Sequence, residues 1–443
     1  MTRGTNIMHA NTHKRTGSGF ALLVALALVS ATAVSVNSPA VDAQTVPRVG
    51  IVCTEDAGTT TPSFTLTAKT GYIALPDATT MFMWGYSNGS DGFQHPGPVL
   101  CVNEGDTVTV VLQNTLSEAV SIMFPGQENV LANGTPAQPQ FSGTTLTSLT
   151  NTAAANGGSV TYSFVASNPG TYLYESGTNP EKQVRMGLFG ALIVRPTMGS
   201  DFAYNRPEDQ FNPDEEFMVL LSEIDPYQHQ AAQVGANFNM NNYQARYWLI
   251  NGRGFPDSIA DNGASWLPTQ PYGALAQVAE HDPDNPTDFP GMARYLNVGT
   301  DDYPFHPHGN NGLVIGRDGY PLAGPGPGNE DLSFEKFAIN IGPGQTWDVI
   351  FKWYDAEHYD PVTNTVPVTV PSMANQSIGV FYSGSPYLGT QEALPSGTPT
   401  LNQCGEYYII SHNHALYQIV SWGVNMTGPI TYMRIDPPTG CSQ

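Results

Sequence analysis

Two short motifs hold the residues best suited to chemistry: His306-Pro307-His308 and His412-Asn413-His414. On an extended strand, positions i and i+2 point to the same face. Each motif therefore aims two imidazoles at one point, and two such strands side by side would gather four ring nitrogens. Imidazole suits copper, zinc, iron and nickel alike, so the spacing predicts a metal ion without choosing it. The chain has 10 histidines, of which His9 and His13 lie in a leader-like N-terminal stretch. Half of the rest fall in these two motifs, which argues against two independent pairs on solvated loops. His95, His229, His281 and His358 stand alone and read as surface or structural residues.

Strands must position such pairs, and the composition supplies them. The 443 residues include 45 glycines and 36 prolines, and only 12% are charged, against about 25% in ordinary domains. That balance argues against helical bundles, which exclude proline and favour charged residues. A formal charge of -22 argues against nucleic acid as a partner. With 40% hydrophobic residues the chain can bury real cores. Short β-branched or alternating runs recur between turn residues: Ser63–Ala68, Thr79–Tyr86, Thr107–Leu112, Ser159–Phe164 and Gly187–Val194. After a Pro/Asp/Asn-rich break at Pro196–Glu215 come Phe217–Leu221, Tyr247–Ile250, Tyr295–Val298, Thr346–Trp353, Ile378–Tyr382, Tyr407–Ile410 and Ile430–Ile435. Short strands at this spacing predict an all-β fold of two β-sandwich domains with long loops. The expected division is a leader at 1–43, a first domain at 44–198 and a second at 199–443.

The leader reading rests on Lys14 and Arg15, the apolar stretch Phe20–Val36, and small residues at Val41-Asp42-Ala43. This is the pattern of a cleavable export signal, cut after Ala43. Cleavage would remove Arg3, Lys14, Arg15 and Asp42 and take the formal charge from -22 to -24. The stretch is too diluted by Ser and Thr for a membrane anchor, and no later segment reads as a span. Periplasm, cell surface and medium all remain open as the destination. Four cysteines remain: Cys53, Cys101, Cys404 and Cys441. An oxidising compartment favours disulfides. Of three possible pairings, Cys53–Cys101 with Cys404–Cys441 is the most economical, because each bridge stays within one domain.

Several segments together resemble the multicopper oxidases, which are built from Greek-key cupredoxin domains. Tyr303-Pro304-Phe305-His306-Pro307-His308-Gly309 is similar to the family's His-Pro-x-His-x-His-Gly motif. Gly97–Leu100 and Glu104–Val108 resemble the start of its first domain. Gly187–Val194 resembles the strand that ends that domain, and Tyr247–Arg253 the Ile-Asn-Gly-Arg segment. The resemblance implies copper as the cofactor, with zinc or iron as alternatives on the same four imidazoles. It also maps the losses. The family's first-domain copper histidines fall at Met123, Pro125, Glu175 and Gly177. Its mononuclear electron-accepting site of two histidines and a cysteine falls at Tyr303, Gln418 and Asn413. Met426 lies near the axial position but out of register.

The expectation is therefore an exported copper protein whose metal ligands are His306, His308, His412 and His414. A copper-dependent oxidoreductase is compatible with that set; four-electron reduction of dioxygen is not, because it needs the missing ligands. Glu175 would join the four histidines only if its strand approached them. A homo-oligomer could supply ligands from a second chain. The alternative is a non-catalytic double-cupredoxin protein of the cell surface. Asp301-Asp302 is a candidate to orient an imidazole. Trp84, Trp248, Trp347, Trp353 and Trp422 read as core, and Gly85-Tyr86-Ser87-Asn88-Gly89, which spells a nucleophile-elbow string without its helix, reads as a turn.

Overall fold

The computed structural model describes residues 46–282, 284–309, 311–324, 330–353 and 407–436. The expected leader, Cys404, Cys441, His358 and the strand expected at Ile378–Tyr382 lie outside the described residues. These described residues form one compact unit.

Alternation of apolar and polar residues builds the first sandwich. In Thr107–Asn114 the side chains of Val108, Val110, Leu112 and Asn114 turn inward while Thr107 and Gln113 face solvent. This strand pairs with Ser63–Ala74 on one side and Gly158–Val165 on the other, within a six-stranded sheet. Thr80–Asn88 lies at one edge of that sheet. A four-stranded sheet covers it: Cys53–Thr54, Val99–Asn103, Phe189–Arg195 and Gly170–Glu175. Leu66, Tyr86, Val110, Tyr162 and Leu192 fill the space between the two. Cys53 and Cys101 form a disulfide, one of the two bridges in the favoured pairing.

The second sandwich draws on later residues. One sheet of seven strands holds Tyr247–Ile250, Glu216–Ile224, Gly291–Asn297, Thr346–Phe351 and Gly312–Arg317 among its members. The facing sheet has five strands in the order Ala276–Ala279, Ile430–Asp436, Tyr407–Asn413, Tyr303–Pro307 and Ile339–Ile341. Phe217, Val219, Tyr295, Tyr303, Phe305 and Met433 make its core. Among the described residues, helix is confined to short pieces, the longest being Pro226–Gln233.

The two sandwiches share a core. Val99, Cys101 and Ile193 of the first pack with Met218, Leu220 and Leu296 of the second. Beside it runs a buried ion network. Arg195 and Arg294 both bind the Glu216 carboxylate, at 2.6 and 2.5 Å. Arg294 also donates to Thr171 Oγ1 at 2.7 Å, and Thr171 and Tyr204 each donate to Asp348 at 2.5 Å. Burial alone would raise the Glu216 pKa, but the two guanidinium groups outweigh it and hold it at about 2.

Two expectations need correction. Gly85–Asn88 is not a turn; it is part of the strand Thr80–Asn88, and Ser87 is buried. It pairs with Leu66–Lys69, and that long-range pairing overrides the local glycine signal. Trp422 is not core. It sits at a hairpin tip with φ 45°, 45% exposed, against Tyr227 and Tyr247. Trp84, Trp248 and Trp353 are buried, and Trp347 is half-buried.

Candidate metal centre

The two histidine strands are neighbours. Tyr303–Pro307 pairs antiparallel with Tyr407–Asn413, and His306 stands directly opposite His412. The alternation explains why the imidazoles emerge together. Tyr303, Phe305 and Pro307 face the core, as do Ser411 and Asn413. The intervening His306 and His412 must then face outward, and His308 and His414 follow on the same side. The chain tolerates Pro304 inside this strand because its partner there is only the three-residue edge strand Ile339–Ile341. The His414 amide donates to Pro304 O at 2.7 Å and ties the second pair back to the first strand.

The four rings form one cluster. Ring centroids lie 4.6 Å apart for His306–His308, 5.1 Å for His308–His412, 5.4 Å for His306–His414 and 5.5 Å for His412–His414. The Nε2 atoms of His308 and His412 are 3.1 Å apart. That is close to the spacing of two nitrogens that share one ion at about 2.0–2.1 Å. His306 Nδ1 donates to Phe337 O at 2.7 Å, and His412 Nδ1 to its neighbour Asn413 O at 2.9 Å. Each of these bonds fixes the tautomer and leaves Nε2 with a free lone pair. Burial, and then the three neighbouring imidazoles, hold the His308 pKa at about 4; burial also lowers that of His412. Both rings are neutral at pH 7, as ligands must be.

The donor set therefore fits a nitrogen-loving ion. One adjustment is needed. Among the described residues, the trio of ligand atoms lying within 4.8 Å of one another is Cys53, Glu55 and Cys101, whose sulfurs are already bonded to each other. The histidine nitrogens come together as one close pair, and ring rotation must bring in the third. His414, which is exposed, has the room for it.

The first-domain positions do not join. Met123 and Glu175 exchange both backbone hydrogen bonds, so the two segments that resemble the family's do lie side by side. A Cβ on Gly177 would lie 2.8 Å from Met123 Cγ, so methionine occupies the space beside that glycine. Burial raises the Glu175 pKa. Among the described residues, no hydrogen bond links Glu175 to the four histidines.

Tyr303, Asn413 and Gln418 take part in a polar network that the spacing of sequence motifs did not reveal. Tyr303 donates to Glu223 Oε2 at 2.6 Å, and Thr300 donates to Glu223 Oε1 through both its amide and its hydroxyl. Burial raises the Glu223 pKa against these hydrogen bonds. Asn413 donates to Gln418 Oε1. Among the described residues Asp301 orients no imidazole; its carboxylate accepts from Trp248 Nε1 at 2.8 Å and from Gln418 Nε2 at 3.3 Å. The one available hint was the acid Glu223 near the end of the largely apolar strand Glu216–Ile224, EFMVLLSEI. Among the isolated histidines, His95 and His229 are fully buried and His281 is partly so.

Comparison with known proteins agrees with this architecture. Residues 72–199 match the Multicopper oxidase family profile Cu-oxidase_3. L-ascorbate oxidase of Cucurbita maxima is 34% identical over 174 residues, which are 38% of this chain and 27% of that protein. Copper resistance protein A of Escherichia coli is 28% identical over 38% of this chain and 25% of its own length. This chain thus spans about a quarter of each of these relatives. The blue copper oxidase of Nitrosomonas europaea has the same fold, with a TM-score of 0.55 at 19% identity over 85% of this chain and 86% of that one. Residues 72–199 are thus similar to a domain of the multicopper oxidases, a family whose cofactor is copper. The matched stretch covers most of the first sandwich, from residue 72 on, while all four paired histidines lie in the second.

Proposed function

We propose that His306, His308, His412 and His414 hold a single copper ion in an exported member of this family. The observation that carries the reading is the His306–His412 rung, which brings two imidazole pairs, each with one tautomer-fixed ring, into one cluster. When bound, copper supplies one-electron redox chemistry. The chain's residues orient the ligands, keep His308 and His412 neutral and leave the exposed His414 side open to small molecules. Four-electron reduction of dioxygen falls outside this reading. Met123, Pro125, Glu175 and Gly177 stand where the other cluster ligands would be, and Asn413 stands where the thiolate would be. Export is supported by the Cys53–Cys101 disulfide, which persists in oxidising compartments, and by the leader-like composition of residues 1–43.

Metal analysis and paramagnetic resonance on protein isolated from copper-supplied cells test the reading. About one copper per chain is expected, because four imidazoles suffice for one ion. His306→Ala and His412→Ala should each abolish stoichiometric loading. Copper-free protein, or zinc or iron in its place, overturns the proposal.

The second reading, a non-catalytic double cupredoxin, has its own support in the completed hydrogen bonding around Tyr303 and Gln418. It expects the His306→Ala, His412→Ala double variant to assemble and function as the parent does.

A further inference from the structure

We propose that Gln418, acting with Asp301 and Asn413, is a positioning clamp that fixes the second histidine pair against the first. This rests on the reading that the four histidines bind metal. The two pairs lie on adjacent strands, but the strand register there ends at Phe305–Asn413, and the His414 amide bond to Pro304 O is the last backbone link beyond it. Beyond it, His414 leads into the short turn Leu416–Gln418. Before the first pair lie Asp301 and Asp302. The side-chain link between these two ends is Gln418, which is fully buried. Its Oε1 accepts from Asn413 Nδ2, on the residue between His412 and His414. Its Nε2 donates to Asp301 Oδ2 and to Asp302 O, both at 3.3 Å, and to Tyr417 OH at 3.0 Å. Asp301 Oδ2 is anchored in turn by Trp248 Nε1, from the strand Tyr247–Ile250 of the facing sheet.

The chemistry makes the link specific. One primary amide accepts from one histidine-bearing segment and donates to the other. Asn413 Oδ1 is buried with no partner, so that amide has no second anchor if Gln418 is lost. An apolar side chain of the same length would fill the space and join nothing. The Nε2 atoms that meet at 3.1 Å belong to His308 and His412, one from each segment. Their spacing therefore depends on how firmly the segments are joined, and ligand sites tolerate only about 0.5 Å of looseness.

The test uses the full chain and three variants. Gln418→Met keeps the volume and removes the amide. Asp301→Ala removes the acceptor at a half-buried position, where folding is expected to survive. Asp301→Asn keeps an oxygen that can accept from both Trp248 and Gln418. Cu(II) titration should show about 10- to 100-fold weaker binding for Gln418→Met and Asp301→Ala, with altered copper hyperfine splitting, and near-parental values for Asp301→Asn. In metal-free protein, hydrogen exchange at the His414 amide, which donates to Pro304 O, should accelerate at least about tenfold in the first two variants. Unchanged exchange at His414 overturns the clamp, and so does parental copper affinity with parental spectra in both disruptive variants. A parent chain that takes up no copper overturns the metal reading instead, while the exchange measurement still decides the clamp.

Discussion

At the residue scale, the chain separates two kinds of polar group on one strand. His306 faces outward with its Nε2 lone pair free, whereas Tyr303, three residues earlier, faces the core and spends its hydroxyl on Glu223. Tyr303→Phe should therefore act on stability and leave copper alone. It leaves a buried carboxyl one donor short, at a cost of about 1–3 kcal/mol. Urea unfolding measures that cost, and copper loading of the same variant should match the parent. Loss of copper with unchanged stability would place Tyr303 at the metal. The histidine spacing was legible in the sequence because i and i+2 on a strand share a face whatever the strand pairs with. Glu223, Gln418 and the Phe337 carbonyl were not legible. Their roles depend on neighbours that are 80, 117 and 31 residues distant in sequence.

At the element scale, local pattern located strands well where both the alternation and the flanking turns were clear. Tyr247–Ile250 is a strand with those limits, and Thr107–Leu112 extends by only two residues, to Asn114. Pattern failed where pairing or packing decides. Gly85–Asn88 looks like a turn alone and is a strand beside Leu66–Lys69. Gly312–Arg317 contains two glycines and was not anticipated, yet it pairs with Thr346–Phe351 through an irregular register. Glycine also carries a junction. Gly187 has φ 115°, and a Cβ there would lie 2.3 Å from Trp84 O and 2.8 Å from His95 Nδ1. Gly187→Ala combines backbone strain with a clash against main chain. It should cost about 2–4 kcal/mol in denaturant unfolding. A cost under about 0.5 kcal/mol would show that the approach into Phe189–Arg195 relaxes freely.

At the scale of the whole molecule, the acid response should come from groups that the metal does not touch. Burial, and then the nearby His229, hold the His95 pKa at about 3; burial holds that of His229 at about 4. A neutral imidazole depressed below its unfolded value of 6.5 contributes stability that is whole above 6.5 and is lost as the pH falls toward the folded value. Burial raises the pKa of Asp209 and of Glu215 to about 7. Their contribution has the opposite sign: it is whole below the unfolded values of 3.8 and 4.5 and is lost as the pH rises toward 7. Between about pH 4.5 and 6.5 the two histidines and the two acids therefore oppose each other. Each changes stability by up to about 1.4 kcal/mol per pH unit. Glu216, held at about 2 by Arg195 and Arg294, adds a further loss only below its unfolded value of 4.5. Glu215→Gln removes one of the opposing acids. The stability of that variant relative to the parent should fall by about 2–3 kcal/mol as the pH is lowered from 6.5 to 4.5. His229→Asn should tilt the difference the other way, because it removes a group that loses stability on acidification. Thermal unfolding of the metal-free chains across that window reads both slopes. Equal slopes for parent and variants would show that neither group titrates differently in the folded chain.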